Sequence, residues 1–228
     1  MHKTIIFDMG ETLVHNIDMD FTKSLEYLFE SSKHCNVKKD VFIEGGMKIL
    51  NDIFNERKEL EFKMIEYIKL LIDFYELVYD KTIEELEEDF AFKSCKIEFV
   101  ENSLQILQYF KNKNYQLILL SNTSFSRNVV VKMLDKMVDF FEYIIVSSET
   151  VFRKPNKYIF ELGIKFSKNS IENIYYIGND YYYDVFGSSN SNINSIWFNE
   201  KKLEKNNKYN VKKYIEIRDF VELINMNF

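Results

Sequence analysis

The sequence is short of the features that several classes of protein require. Its 228 residues include two cysteines, one proline and three histidines. Cys35 and Cys95 have no metal-ligand spacing around them, so we interpret both as reduced, structural thiols. No stretch approaches the roughly 18 apolar residues of a membrane-spanning helix, and the chain enters a strand without a basic or cleavable leader. We therefore expect a cytoplasmic protein with no membrane partner.

An excess of basic residues is also missing. The formal net charge is −6 at pH 7, whereas a general nucleic-acid binder presents a basic stripe. We therefore expect no nucleic-acid partner, although a local cationic pocket remains compatible with this charge. With 46% hydrophobic and 29% charged residues, the chain is typical of a globular protein. Its length allows one large domain, or one domain with a sizeable insertion, as a monomer or a homodimer.

What is present falls into two blocks with different hydrophobic periods. From about residue 20 to residue 92, apolar residues recur at spacings of three and four, which predicts about four helices and no strand. Thr82 and Glu85 have the spacing of a capping box for the last of these helices. Gly45 and Gly46 form the one weak point in the helical pattern.

The second block alternates between the two kinds of element. Predicted strands cover residues 115–120, 143–146, 174–177, 195–198 and 214–217, and predicted helices cover 102–113, 126–137, 156–166, 183–190 and 219–224. Strands separated by helices of this length form right-handed crossovers and a parallel sheet. We therefore predict an α/β fold with a Rossmann-like doubly wound parallel sheet. Its core covers residues 1–16 and 94–228, and an inserted all-helical cap covers residues 17–93.

The first strand ends in an acid. Ile5, Ile6 and Phe7 are strand-forming residues that deliver Asp8 to the end of the strand, and Gly10 follows where the backbone must bend. In open α/β sheets, ligands bind beyond the carboxyl ends of the strands. We therefore expect Asp8 to belong to a site.

Three later strands are followed by polar residues of complementary kinds. Ser121 and Asn122 suit an anion, Lys154 precedes the single proline that fixes the backbone, and Asp180 comes four residues before Asp184. Each residue alone could equally cap a turn or lie in solvent. Acids at two strand ends, a hydroxyl at a third and a lysine at a fourth together indicate a site for a divalent cation and a phosphate.

Four segments carry a family resemblance: FDMGETL, LLSNT, RKP and IGNDYYYDVFGS, in this order. They resemble the four motifs of the haloacid dehalogenase superfamily, with a helical cap inserted after the first. The resemblance implies a nucleophile with three catalytic companions, a phosphate-binding set and a metal-binding set. The implied nucleophile is Asp8, and its catalytic companions are Thr12, Ser121 and Lys154. The implied phosphate-binding set is Ser121, Asn122 and Lys154. The implied metal-binding set is Asp8, the Gly10 carbonyl, Asp180, Asp184 and Asn179.

This resemblance implies a Mg²⁺-dependent hydrolase of a small phosphorylated metabolite. Asp8 is expected to attack phosphorus and form an aspartyl-phosphate, which water then hydrolyses. Of the two residues after Gly178, we expect Asp180 to bind the metal directly and Asn179 to hold metal-bound water. The cap is expected to close over the site and contact the organic part of the substrate.

Two departures from the family pattern keep other functions open. Gly10 stands where most phosphatases of the family carry a second aspartate, and Asn179 follows Gly178 where the family's fourth motif often has an aspartate. Glu11 lies one residue beyond the useful position for a general acid. A dehalogenase tolerates this change but has no evident use for the acidic fourth motif. A phosphonate-cleaving enzyme needs a cap lysine that the spacing does not identify. A catalytically weak or inactive protein that binds a phosphorylated ligand is a third alternative.

Overall fold

The computed structural model describes residues 2–226 and residue 228. In chain order, the strands are β1 (Thr4–Phe7), β2 (Val14–Ile17), β3 (Lys96–Phe99), β4 (Gln116–Ser121), β5 (Tyr143–Val146), β6 (Ile174–Gly178), β7 (Asn194–Phe198) and β8 (Ile215–Ile217). Six of them form one sheet in the order β5-β4-β1-β6-β7-β8, and every neighbouring pair is parallel. The predicted doubly wound parallel sheet is confirmed, with β1 between its two halves.

Nine α-helices accompany the strands in the described part of the chain. They are α1 (Phe21–Ser31), α2 (Lys39–Glu56), α3 (Met64–Tyr75), α4 (Ile83–Ser94), α5 (Ser103–Asn112), α6 (Arg127–Leu134), α7 (Lys157–Phe166), α8 (Gly187–Asn190) and α9 (Val221–Asn225). The first four lie between β2 and β3, as the predicted helical block requires. We call residues 21–94 the helical insertion. None of the helices in the described residues is long and apolar enough to cross a membrane.

Local signals in the insertion act as predicted. The Thr82 hydroxyl accepts a hydrogen bond from the Glu85 N–H at 3.2 Å, and the Glu85 carboxylate accepts one from the Thr82 N–H at 2.8 Å. This is a complete capping box. Gly45 and Gly46 lie inside α2, and a Cβ at Gly46 would lie 2.9 Å from the Leu25 side chain of α1. The second glycine therefore lets the two helices approach closely.

Three features differ from the predicted elements. The antiparallel pair β2–β3, with Val14 opposite Phe99, was not predicted; it joins the two ends of the helical insertion. The predicted helix 126–137 ends at Leu134, because Asp135 adopts a φ of 48°, and a 3₁₀ helix follows. The predicted helix 183–190 starts two residues early, as a π-helical turn at Tyr181–Phe186.

Candidate active site

The carboxyl ends of β1 and β6, together with the loop that follows β5, bring three of the predicted residues together. Asp8 directly follows β1, and its backbone N–H donates to the Ile177 carbonyl of β6 at 2.9 Å. The Lys154 ammonium lies 2.6 Å from Oδ1 of Asp8 and 2.5 Å from Oδ1 of Asp184. Residues from three of the four sequence motifs therefore meet in one buried ion cluster, which we call the site cluster: Asp8, Lys154 and Asp184.

The lysine is saturated by its partners. Besides the two carboxylates, its Nζ contacts the Tyr176 hydroxyl at 2.7 Å, so that all three N–H donors are used. The Lys154 side chain is 2% exposed. Its backbone is held as well, because Asn122 Oδ1 accepts from the Lys154 N–H at 2.7 Å and Asn122 Nδ2 donates to the Lys154 carbonyl at 3.0 Å. The side chain of Asn122, which we expected to bind phosphate, thus makes two hydrogen bonds to the backbone of Lys154.

Tyr176 is the site residue that the sequence did not indicate. Its hydroxyl donates to the Leu120 carbonyl at 2.9 Å and lies 3.2 Å from Oδ1 of Asp184. Burial, followed by the charges of Asp184 and Asp8, raises the pKa of Tyr176 well above its ordinary value. The only sequence signal is a hydroxyl within a buried strand, which is a weak signal in a chain with 15 tyrosines.

Asp184 reaches the cluster because of a glycine. A Cβ at Gly178, the last residue of β6, would lie 2.4 Å from Cγ of Asp184, so only glycine leaves room for this carboxylate. The second oxygen of Asp184 accepts a hydrogen bond from the Asp180 N–H at 2.9 Å. The carboxylate is thereby fixed against the end of the strand.

The negative charge of Asp8 is only partly compensated by its partners in the site cluster. Its Oδ2 accepts a hydrogen bond from the Thr12 hydroxyl at 3.4 Å. Burial raises the pKa of Asp8 to about 6; the attraction of Lys154 opposes this shift and the repulsion of Asp184 adds to it. Burial by itself lowers the pKa of Lys154, but the two carboxylates raise it above its ordinary value. Two acids thus share one ammonium, which leaves an excess of negative charge.

This donor set fits a hard divalent cation. Asp8 and Asp184 supply carboxylate oxygens, and the Gly10 carbonyl makes no hydrogen bond to any described residue. Oxygen ligands and a buried negative charge suit Mg²⁺. Within residues 2–226 and 228, no group of three or more His, Cys, Asp or Glu side chains is arranged to hold a metal. A bound cation would therefore depend on two carboxylates and a backbone oxygen.

The roles expected of Asn179 and Asp180 look different in the structure. Oδ1 of Asp180 accepts from the N–H groups of Tyr182 and Tyr183, at 2.8 and 2.7 Å, and thereby caps the π-helical turn. Oδ1 of Asn179 instead lies 3.4 Å from the Thr12 hydroxyl, beside Asp8. Asn179, which we expected to hold metal-bound water, thus shares the Thr12 hydroxyl with Asp8, whereas the oxygen of Asp180 that we expected to bind the metal caps a turn.

The Ser121 hydroxyl is available for a ligand. Ser121 ends β4, next to β1 in the sheet, and is 2% exposed. Its side chain makes no hydrogen bond to any residue that the structure describes. A hydroxyl without a protein partner at the end of a central strand can donate to a phosphate oxygen.

Glu11 is held away from the reacting groups, in agreement with our preference for a turn acid. Its carboxylate contacts Lys201 at 2.8 Å, His15 at 3.2 Å and the Asn16 N–H at 3.1 Å. Although burial by itself raises the pKa of Glu11, these partners lower it below its ordinary value. A carboxyl with a lowered pKa is a poor general acid near neutral pH.

A sequence model described as haloacid dehalogenase-like hydrolase matches residues 5–198. The match runs from β1 to the end of β7 and includes the helical insertion. A glyceraldehyde 3-phosphate phosphatase from Methanothermobacter thermautotrophicus is 28% identical over 108 residues, which are 45% of this chain and 46% of the relative. The alignment thus spans less than half of that relative's length.

Solved structures resemble the chain over nearly its whole length. A putative HAD-hydrolase from Bacillus subtilis, bound to magnesium, is 20% identical with a TM-score of 0.61 and covers 99% of this chain and 98% of its own. A 2-haloacid dehalogenase from Pseudomonas syringae pv. Tomato DC3000 is 14% identical with a TM-score of 0.67 and covers 100% and 98%, respectively. At these identities, the likeness shows a common fold.

Proposed function

The chain belongs to the haloacid dehalogenase-like hydrolases, and we propose that it is a Mg²⁺-dependent phosphatase of a small phosphorylated metabolite. The observation that carries the proposal is the site cluster, in which two buried carboxylates share one ammonium. Such a site suits a divalent cation together with an anionic substrate. The phosphatase relative, matched over part of its length, supports the same chemistry.

In this proposal, Asp8 is the nucleophile. With a pKa of about 6, its carboxylate is ionised near neutral pH and can attack phosphorus in line. The step forms the bond between Asp8 and phosphorus, breaks the ester bond and expels an alkoxide, which takes a proton from water. A second water then attacks the aspartyl-phosphate, releases phosphate and regenerates Asp8. Ser121 and Thr12 donate to the phosphoryl oxygens, and Lys154 neutralises charge that Asp8 and the phosphate share.

Mg²⁺ would be held by the carboxylates of Asp8 and Asp184 and by the Gly10 carbonyl, and would supply neutralisation of the phosphate charge. We propose that Asn179 orients the ligands of this site and that Asp180 serves chiefly as a helix cap. The similar structure from Bacillus subtilis, which bound magnesium, supports this choice of cation. We also keep the division into a core of residues 1–16 and 94–228 and a cap of residues 17–93 as part of the proposal.

Gly10 favours a second candidate, a catalytically weak or inactive protein that binds a phosphorylated ligand. No acid side chain stands two residues after Asp8, and Glu11 is engaged with Lys201 and His15. Such a protein would retain the phosphate and cation sites but lack the group that protonates the leaving alcohol.

Hydrolysis of p-nitrophenyl phosphate, with Mg²⁺ and with EDTA, separates these functions. The phosphatase predicts turnover that requires the cation. In Asp8→Asn, kcat should fall by about 10⁴-fold or more, because a neutral amide is not a nucleophile. The circular dichroism spectrum of the variant should match that of the wild type. Retained turnover in Asp8→Asn would remove Asp8 from its role.

The same samples distinguish the alternatives. Mg²⁺ binding in a calorimeter without any turnover would support the ligand-binding protein. Release of halide from a 2-haloacid in the presence of EDTA would support a dehalogenase and contradict the phosphatase.

A further inference from the structure

A second buried ion cluster lies between the helical insertion and the core. Its centre is Glu61, in the connection between α2 and α3, whose side chain is fully buried. One carboxylate oxygen accepts from Arg57 Nη1 at 2.9 Å, and the other lies 3.4 Å from Arg153 Nε. We call Glu61, Arg57 and Arg153 the interface cluster. Arg153 immediately precedes Lys154, so consecutive residues enter two different buried clusters.

The backbone around Glu61 pairs with the loop that carries Lys154. The Glu61 N–H donates to the Val151 carbonyl at 2.7 Å, and the Arg153 N–H donates to the Glu59 carbonyl at 3.0 Å. The Glu59 side chain adds a hydrogen bond from Asn156 at 2.8 Å. The insertion therefore holds this loop on both sides of Lys154.

Glu61 also reaches the loop that follows Ser121. Its Oε2 accepts a hydrogen bond from the Ser147 hydroxyl at 2.8 Å, and the same hydroxyl accepts one from the Thr123 N–H at 2.8 Å. Ser147 is completely buried. One carboxylate of the insertion is thereby linked to both core loops that supply ligand-binding groups.

We propose that Glu61 is a positioning residue, through which the helical insertion sets the places of Lys154 and Ser121. The inference rests on the proposed phosphatase function. Glu61 contacts neither member of this pair directly and acts through Arg153 and Ser147. In this structure, the contacts of Glu61 hold the loop that carries Lys154 and the loop that follows Ser121 in one arrangement. Without the Glu61 carboxylate, the two loops lose the partner that they share.

The negative charge of Glu61 is required as well as its shape. Arg57 and Arg153 both face this single carboxylate, and removal of one partner from a buried ion cluster leaves the others uncompensated. In Glu61→Gln, the amide oxygen can still accept from Ser147, but the two guanidinium groups would repel each other. Arg153 should then shift, and Lys154 with it.

The chain offers a matched control. Glu87 of α4 is the insertion's other carboxylate that is almost completely buried against the core, at 1% exposure. It accepts from the Ser126 N–H at 2.9 Å, at the start of α6. Its contacts do not include the loop that carries Lys154. Glu87→Gln therefore changes a buried interfacial carboxyl group without altering a contact of Arg153 or Ser147, the two residues through which Glu61 is proposed to act.

The test compares Glu61→Gln with Glu87→Gln, using p-nitrophenyl phosphate with saturating Mg²⁺ and inorganic phosphate as inhibitor. We expect kcat/KM of Glu61→Gln to fall on the order of 10²-fold, the typical effect of a displacement of about 1 Å in a catalytic group. The inhibition constant for phosphate should rise in parallel. Glu87→Gln should stay within about 3-fold of the wild type in both, the range expected when no catalytic group moves. Both variants are assayed well below their melting temperatures, so that a loss of stability alone changes neither kcat/KM nor the inhibition constant for phosphate.

If Glu61→Gln is folded and matches Glu87→Gln in both constants, the inference is wrong and the phosphatase proposal stands. If the wild type shows no Mg²⁺-dependent hydrolysis, both the inference about Glu61 and the phosphatase proposal are wrong. Should Glu61→Gln fail to fold, Ser147→Ala removes the link to Thr123 without leaving a charge unpaired. A wild-type kcat/KM and phosphate inhibition constant in that variant would overturn the inference, and a loss in kcat/KM approaching about 10²-fold, the scale of a catalytic group displaced by about 1 Å, would support it.

Discussion

The two buried ion clusters use the same kinds of residue in opposite proportions. The site cluster places two carboxylates against one ammonium, whereas the interface cluster places one carboxylate between two guanidinium groups. The first arrangement leaves negative charge that a cation and a substrate can complete. The second encloses its single carboxylate with donors, which favours a fixed structure. Because both clusters are buried, the balance of charge distinguishes them: the excess is negative in the site cluster and positive in the interface cluster.

The largest expected effect comes from removing one cation from each cluster in turn. Lys154→Met leaves Asp8 and Asp184 facing each other without compensation, and breaking a buried ion pair in this way typically costs about 3–5 kcal/mol. Arg153→Met should cost clearly less, because Glu61 retains Arg57. Urea unfolding without divalent cations measures both free energies.

The same two variants test whether the two clusters differ in the way proposed. Mg²⁺ should restore part of the stability that Lys154→Met loses, since the cation compensates the same carboxylates, and should have no such effect on Arg153→Met. Equal losses in the two variants, with or without Mg²⁺, would show that charge balance does not distinguish the clusters.

An effect of intermediate size is expected from a substitution that adds an acidic side chain beside the site cluster. Gly10 has no positive φ, and a Cβ there would meet Asn16 Nδ2 at 3.4 Å, an ordinary contact. Gly10→Asp can therefore supply a general acid and base while keeping the carbonyl oxygen. Positioned acid–base catalysis is typically worth about 10²–10⁴-fold, so we expect turnover of alkyl phosphates to rise towards that range.

Gly10→Asn is the matched control, because it has the same size without the acid. Esters with good leaving groups, such as p-nitrophenyl phosphate, should gain least from Gly10→Asp in the first chemical step. If Gly10→Asp lowers turnover while Mg²⁺ binding and folding are preserved, glycine serves another purpose, such as room for a ligand, and the missing-acid hypothesis is wrong.

The smallest effect concerns Glu87, a buried carboxylate without any cation partner in the described structure. Burial raises the pKa of Glu87 above its ordinary value of 4.5, although the hydrogen bond from Ser126 opposes the shift. The folded protein therefore binds a proton that the unfolded chain releases. This contribution to stability is complete below the ordinary pKa and is lost as the pH rises through the raised pKa.

Glu87→Gln should remove this pH dependence. Relative to the variant, the wild type should lose unfolding free energy as the pH rises above 4.5, the ordinary pKa of a glutamate, and through the raised pKa of Glu87. Urea denaturation of both proteins at several pH values measures the difference, in which titrations common to both cancel. A difference that stays constant, or that grows in favour of the wild type with pH, would contradict the raised pKa.

Much of the fold could be read from local pattern. The change from a period of three and four to alternating strands and helices located the helical insertion and the parallel sheet. The pair β2–β3 could not be found in this way, because its four-residue strands begin and end the insertion and pair only when its two ends meet.

The candidate site was predicted as a set of strand ends, and the structure brings Asp8, Lys154 and Asp184 together. Partners within the site were less accessible from the sequence. Tyr176 carries no motif, and the choice between Asn179 and Asp180 depends on which side chain caps the following turn. That choice is made by backbone geometry, which residue counting does not specify.

The sequence by itself determined which residues stand at the ends of buried parallel strands, because hydrophobic period and turn residues are local properties of the chain. Only the tertiary structure decided how those residues share charge. Lys154 meets two acids while its neighbour Arg153 turns to Glu61, more than 90 residues earlier in the chain. Contacts of this kind depend on how distant segments pack, and no local pattern encodes them.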